Sequence, residues 1–172
     1  MPKISTTHIS LAGEFAVLSQ LALRGYDANL TLSNTKGVDI LVSNPHSGAM
    51  FRLEVKTNYN YGTKGGSKTL FGDYKIAWQM SEKHESWDEE NLFYCFVLMM
   101  DEAKDLEFYI IPSKIVARYV RDEHQWWLKN GANRKTSKKR IFRIGTKSET
   151  YPISTPFLED WKDNWDFRIS RL

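Results

Sequence analysis

FRLEVKT, residues 51–57, alternates apolar and charged side chains: Phe51, Leu53 and Val55 against Arg52, Glu54 and Lys56. Period-two alternation marks a strand with one buried face, because successive side chains point to opposite faces. Extended backwards, the stretch reads AMFRLEVKT (49–57), a long strand. Glu54 and Lys56 then stand side by side on one face, one charge of each sign. Taken alone, they fit a solvent-facing ion pair of little energetic worth as well as they fit half of an active site.

Working outward, SNPHSG (43–48) is a turn, VDILV (38–42) a strand, and ANLTL (28–32) a shorter strand, so 28–57 reads as an antiparallel meander. Residues 9–24 form an amphipathic pattern with Leu11, Phe15, Leu18, Leu21 and Ala22 on one broad face. Thr7 or Ser10 can cap this helix, and Gly25 follows its end. Downstream, 58–75 is a loop rich in Gly, Lys and Tyr, and 76–84 is a short helix. Residues 92–100 and 107–111 are strands, and Pro112-Ser113 opens a helix over 113–121. RIFRI (140–144) is a further strand. Thr155-Pro156 opens a last helix with Glu159 and Asp160 in its first turn and Phe157, Trp161 and Trp165 on its buried side. The expectation is one α/β domain over 1–172, a central mixed sheet flanked by helices, with its core over about 9–111 and a C-terminal extension over about 112–172.

Composition agrees with that size: 172 residues, 41% hydrophobic and 13% aromatic, suit a chain with a real core rather than a disordered one. No apolar run approaches the roughly 18 residues that cross a bilayer, and MPKISTTHIS lacks a signal-peptide core. A single cysteine, Cys95, flanked by Tyr94 and Phe96, reads as core filling and points to a reducing, cytoplasmic setting. The net charge of +3 conceals an asymmetry. Residues 129–147 carry eight basic and no acidic side chains, whereas 82–107 carry nine acids and two lysines. Such segregation suits a polyanion-facing side and equally a solvated basic loop.

Three acids interrupt their local apolar pattern. Glu14 is flanked by Leu11, Leu18 and Leu21 on its helix, Asp39 occupies a strand, and Glu54 lies in the next. Each has a bland explanation: the edge of the helix stripe, a strand entrance, an exposed pair. Together they suggest more, because the meander can set Asp39 against Glu54, and neighbouring carboxylates repel unless a cation or proton separates them. Oxygen ligands without His or Cys suit Mg²⁺ or Mn²⁺ rather than Zn²⁺. Lys56 could hold a metal-activated water or neutralise a phosphate oxygen.

The order GEF (Glu14), GVDI (Asp39), then EVK (Glu54 and Lys56) resembles the PD-(D/E)XK nuclease superfamily, which includes restriction endonucleases and Holliday junction resolvases. The resemblance covers about 9–58, and more loosely the strands to 111. It implies a restriction endonuclease-like core. Glu14, Asp39 and Glu54, with the Val55 backbone carbonyl, would be metal ligands, and Lys56 the catalytic lysine. Val38 stands where the literal motif has proline. Gln79 could correspond to a residue that some subfamilies use on a following helix.

GTKGGSKT (62–69) is close to a phosphate-binding loop, but Ser67 replaces its second glycine and no apolar helix follows at once. Lys64 and Lys68 there, with Arg134, Lys135, Lys138, Lys139, Arg140 and Arg143, are candidates for phosphate contacts, and Tyr59 or Tyr61 for stacking. Trp126-Trp127 reads as a lid over the core. His8, His46, His84 and His124 have no metal-ligand spacing and read as surface residues. The expected function is a Mg²⁺- or Mn²⁺-dependent hydrolase of phosphodiesters, a nuclease acting on DNA. The alternative is a catalytically inactive nucleic-acid-binding or protein-interaction module of the same fold. No membrane association is expected. A homodimer would let two sites cut both strands, although no feature requires one.

Overall fold

The computed structural model describes residues 4–32, 37–60, 68–72, 76–100, 104–131, 137–145, 151–153 and 158–167. Helix α1 (Thr6–Leu23) leads into strands β1 (Asp27–Leu30), β2 (Ile40–Ser43) and β3 (Met50–Tyr59). Short α2 (Lys68–Phe71), β4 (Ile76–Ser81) and a 3-10 turn (Glu82–Glu85) cross over to β5 (Leu92–Met100). Then come β6 (Asp105–Pro112), α3 (Ser113–Asn130), β7 (Lys139–Ile144) and α4 (Leu158–Trp161).

Five strands form a mixed sheet in the order β1-β2-β3-β5-β6. The meander is antiparallel, with Ile40 opposite Leu53, as the alternation predicts. The long crossover makes β3 and β5 parallel, setting Glu54 beside Tyr94 and Lys56 beside Phe96. Helix α1 packs on one face of the sheet, where Val17 and Leu21 meet Ile40, Leu53, Val55, Cys95 and Val97. The other face carries Tyr94, Phe96 and Leu98. It is covered by α3 through Val116, Tyr119 and Val120, and by a second sheet of β4 and β7. With both faces covered, β5 is buried from Leu92 to Met99. Cys95 is fully buried there, and burial pushes its thiol pKa up, as core filling implies.

Several elements depart from the sequence expectation. Residues 76–81 are a strand, not a helix: Ile76, Trp78 and Met80 face the second core, Gln79 is exposed, and the strand pairs with β7. Helix α3 extends past 121 to Asn130 and contains both tryptophans. Trp126 does pack inward, against Phe71 and Tyr151, while Trp127 stacks on His124.

Helix α1 begins one turn earlier than expected, capped by Ser5, whose hydroxyl accepts from His8 N at 3.2 Å. Its buried residues are Gly13, Val17 and Leu21, whereas Leu11 and Phe15 are 41% and 55% exposed. The helix is apolar all round, so periodicity alone could not pick the face that docks. Thr155, Pro156 and Phe157 lie outside the described residues, but Trp161 and Trp165 are buried. They pack on opposite sides of the sheet, because the chain passes the free edge of β6. There Lys162 bridges Tyr109, and Asp163 N donates to Phe108 O at 2.9 Å.

Candidate active site

A close approach of helix to strand positions the first acid. A Cβ built on Gly13 would fall 1.9 Å from Thr57 Oγ1, so only glycine lets α1 sit this near β3. Glu14, the next residue, is thereby held half-buried over the sheet.

The second acid marks the point where two strands part. Asp39 N donates to Leu53 O at 2.8 Å, the last backbone bond before β2 leaves β3, and Thr31 N donates to Asp39 O at 2.9 Å. The Asp39 side chain continues the ladder in place of backbone: its Oδ2 accepts from Val55 N at 2.7 Å. Beyond it, β3 runs on to Tyr59 paired with β5. Backbone polar groups alternate sides along a strand. Arg52 N bonds Asn91 O on the β5 side and Leu53 O bonds Asp39 N on the β2 side. The Val55 carbonyl therefore points into the gap that β2 vacates.

Glu54 and Lys56 complete the group. Glu54 is 4% exposed and ion-paired with the Lys56 ammonium. Burial raises the Glu54 pKa, Lys56 opposes this, and the Asp39 charge adds to the rise. Burial likewise raises the pKa of Glu14, with Asp39 and Glu54 pushing the same way and Lys56 against. Glu14, Asp39, Glu54 and Lys56 therefore share one electrostatic environment in which three carboxylates face the Lys56 ammonium, with Lys83 acting more weakly on Glu54.

Behind this group stands a neutral imidazole. The His84 ring and the Tyr94 hydroxyl hydrogen-bond at 2.7 Å between Nδ1 and Oη. Burial, with Lys56 and Lys83 nearby, lowers the His84 pKa to about 3. His84 and His124 are thus buried, contrary to the surface expectation, while His8 and His46 are exposed.

The predicted phosphate contacts divide. Lys138 and Lys139 are exposed on the chain entering β7. Arg140 and Arg143 are not available: they are 4% and 1% exposed and pair with Glu85 and Glu123. Residues 139–144 form a strand whose inward side chains must be neutralised within the protein. Lys64, Tyr61, Arg134 and Lys135, and the side chain of Lys68, lie outside the described residues. Tyr59 is half-buried against the α1 side core. Gln79 sits on β4, not on a helix.

No protein-family profile matches the chain, and no curated protein does. Solved structures do. The bacterial homing endonuclease I-Ssp6803I aligns over 95% of this chain and 90% of its own, at 12% identity and a TM-score of 0.50. The chain shares that protein's fold, a restriction endonuclease-like one. The Holliday junction resolvase Hjc of Archaeoglobus fulgidus aligns over 88% of this chain and 93% of its own, at 13% identity and a TM-score of 0.42.

Sequence reasoning missed the surroundings of this group. A cavity of about 390 Å³ adjoins it, bounded by Gly37, Val38, Arg52, Lys83, Trp87, Glu89 and Leu92. Arg52 was findable, since it shares a strand face with Glu54 two residues away; Lys83 and Trp87 arrive through the crossover and carry no local signal.

Proposed function

We propose that the chain is a divalent-metal-dependent nuclease that hydrolyses phosphodiester bonds of DNA, with its active site at Glu14, Asp39, Glu54, the Val55 carbonyl and Lys56. The observation that carries this reading is the uncompensated charge: three carboxylates around one lysine, two of them with pKa values raised partly by their acidic neighbours. Such an arrangement destabilises its own ionised form, and a bound cation relieves it. The donor types, carboxylate and carbonyl oxygen, fit Mg²⁺ or Mn²⁺. Among the described residues no three His, Cys, Asp or Glu side chains converge closely enough to hold an ion as they stand. Glu54 is engaged by Lys56, and Asp39 by Val55 N–H. An ion held here would take Glu54 through the oxygen that Lys56 leaves open, or in place of that lysine.

Glu14, Asp39, Glu54 and the Val55 carbonyl would hold the ion, which when bound supplies a Lewis acid and lowers the pKa of water. Asp39 is fixed by the Val55 N–H, so its free oxygen is oriented before anything binds. Lys56 is the cation of the group, and its ammonium would hydrogen-bond the attacking water or neutralise charge on the scissile phosphate. Burial of Glu54 keeps bulk water away from one side of the reaction. Lys138 and Lys139, exposed on the chain entering β7, would contact the phosphate backbone.

The test is cleavage of plasmid, linear and branched DNA with Mg²⁺, with Mn²⁺ and with chelator, by the parent and by Asp39→Ala and Lys56→Ala. Metal-dependent cutting by the parent and none by the variants supports the assignment. Equal cutting by parent and variants rejects this site. The Glu54–Lys56 ion pair favours one second reading, a binding module in which the lysine permanently replaces a metal. It is distinguished by salt-sensitive DNA binding without any cutting.

A further inference from the structure

We propose that the cavity beside the candidate active site receives an unpaired nucleobase, so that the preferred substrate carries an unpaired nucleotide next to the scissile phosphate. The inference rests on the nuclease reading above and specifies its substrate.

The cavity borders the site on two strands. Val38 precedes Asp39, and Arg52 lies two residues from Glu54 on the same face of β3. At about 390 Å³ it is within the size range of small-ligand pockets. Its walls are of three kinds: an indole (Trp87), aliphatic groups (Val38 and Leu92), and a polar rim of Arg52, Lys83 and Glu89.

Trp87 is fixed rather than free. Its six-membered ring abuts Gly37, where an added Cβ would come within 2.6 Å of Cη2, and Gly37 has φ +76°, which only glycine adopts easily. The His84 ring meets it edge-on at 4.6 Å. The Lys83 ammonium lies 4.5 Å from the ring centroid, and Lys83 itself lines the cavity, so the π face it covers looks inward. That lysine is exposed, and its removal from the ring sacrifices only a weak cation–π contact.

These walls select among ligands. A free phosphate would not use an indole face and would be repelled by Glu89. A base within a duplex is stacked on its neighbours and presents no face to the protein. An unpaired base offers a π face for Trp87 and a polar edge for the rim. Arg52 and Glu89 are paired and 37% and 50% exposed, so together they offer both donors and an acceptor to that edge. Lys83, displaced from the ring, is left beside the phosphate that follows the base.

The experiment is equilibrium binding by fluorescence anisotropy, with Ca²⁺ in place of Mg²⁺. The labelled DNAs are an intact duplex, the same duplex with a single-nucleotide bulge, and that bulge with its base removed. Wild-type protein is expected to bind the bulged duplex about tenfold more tightly than the other two, stacking on one aromatic side chain being the difference. Trp87→Ala should abolish that preference and leave affinity for intact duplex unchanged, while Trp87→Phe keeps most of it. Equal affinity of the wild type for the bulged and base-less DNAs overturns the proposal without needing any variant to fold, as does a preference that survives in Trp87→Ala. Mg²⁺-dependent cutting without a bulge preference removes the pocket and leaves the nuclease reading standing. Failure to bind any of the DNAs removes both.

Discussion

Two strands of this protein carry charges where an apolar pattern runs, EVK in β3 and RIFR in β7, and the structure treats them in opposite ways. In β7, Arg143 is 1% exposed, bonds Glu123 at 2.6 Å, and lies 3.6 Å over the Phe71 ring. Arg140 is matched in the same way by Glu85. Each of these two arginines has its own carboxylate, and their charge is closed within the fold. In β3, Lys56 is set against Glu54, Asp39 and Glu14 together, and the carboxylates remain in excess. A buried charge with one partner serves the structure, whereas a buried cluster with an unbalanced sign is prepared for something not in the chain.

The contrast can be broken at either end. Its largest expected consequence lies in β7: Arg143→Ala leaves Glu123 buried and alone, and should lower the unfolding free energy in urea by about 3–5 kcal/mol. In β3 the loss should fall on activity instead. Lys56→Ala should reduce Mg²⁺-dependent cleavage by about 10²–10³-fold, the range for removing one charge-stabilising group, with a smaller urea loss than Arg143→Ala, because the Lys56 side chain is 24% exposed and that of Arg143 1%. If Lys56→Ala unfolds the protein and Arg143→Ala does not, the two regions have been assigned the wrong way round.

Acid sharpens the distinction further. The folded His84 pKa, about 3, lies below its ordinary 6.5, so the unfolded chain binds the extra proton first. The stability that neutral His84 confers is complete above about pH 6.5 and declines as pH falls towards 3. At pH 5 the decline from this residue should reach about 2 kcal/mol. Glu14 and Glu54 act in the opposite sense: with raised folded pKa values they favour the fold below their ordinary carboxylate pKa and lose that contribution as pH rises. Urea unfolding at pH 7 and pH 5 should therefore show a smaller acid loss in His84→Gln than in the parent. The smallest effect concerns placement. Gly13→Ala forces a methyl against Thr57 Oγ1 and should destabilise by about 1–3 kcal/mol. By lifting Glu14 off the sheet it should also reduce cleavage, although the carboxylates themselves are untouched.

Much of this arrangement is legible in the sequence, and the failures have definite causes. The meander, the register of Asp39 against β3, and strands β5 and β6 follow from alternation and turn residues, which act locally. Residues 76–81 read as the start of a helix running to 84 although Ile76, Trp78 and Met80 alternate with smaller side chains; their pairing with β7 and their packing on the second core, which make them a strand, arrive from far along the chain. The docking face of α1 was misread because its large residues, Leu11 and Phe15, point outward and its contact is made through Gly13, which carries no hydrophobic signal. Glu14 nevertheless stands out in the sequence, because a lone acid in an apolar helix is conspicuous whichever face docks. Arg140 and Arg143 were misassigned because a basic run reads as solvated, and nothing local discloses that Glu85 and Glu123 neutralise two of its members from other elements. The cavity at Trp87 was invisible because its walls come from three separate segments.

The excess of carboxylates over cations around Lys56 is tested most directly by titrating Mn²⁺ into the protein and measuring free ion by electron paramagnetic resonance, with the parent beside Asp39→Asn. The expected result is saturable Mn²⁺ binding by the parent that weakens at least tenfold in Asp39→Asn, while Arg143–Glu123 stays intact and both proteins unfold at similar urea concentrations. Identical Mn²⁺ binding by the two proteins, or none by the parent with and without DNA, would contradict a metal site at Glu14, Asp39 and Glu54.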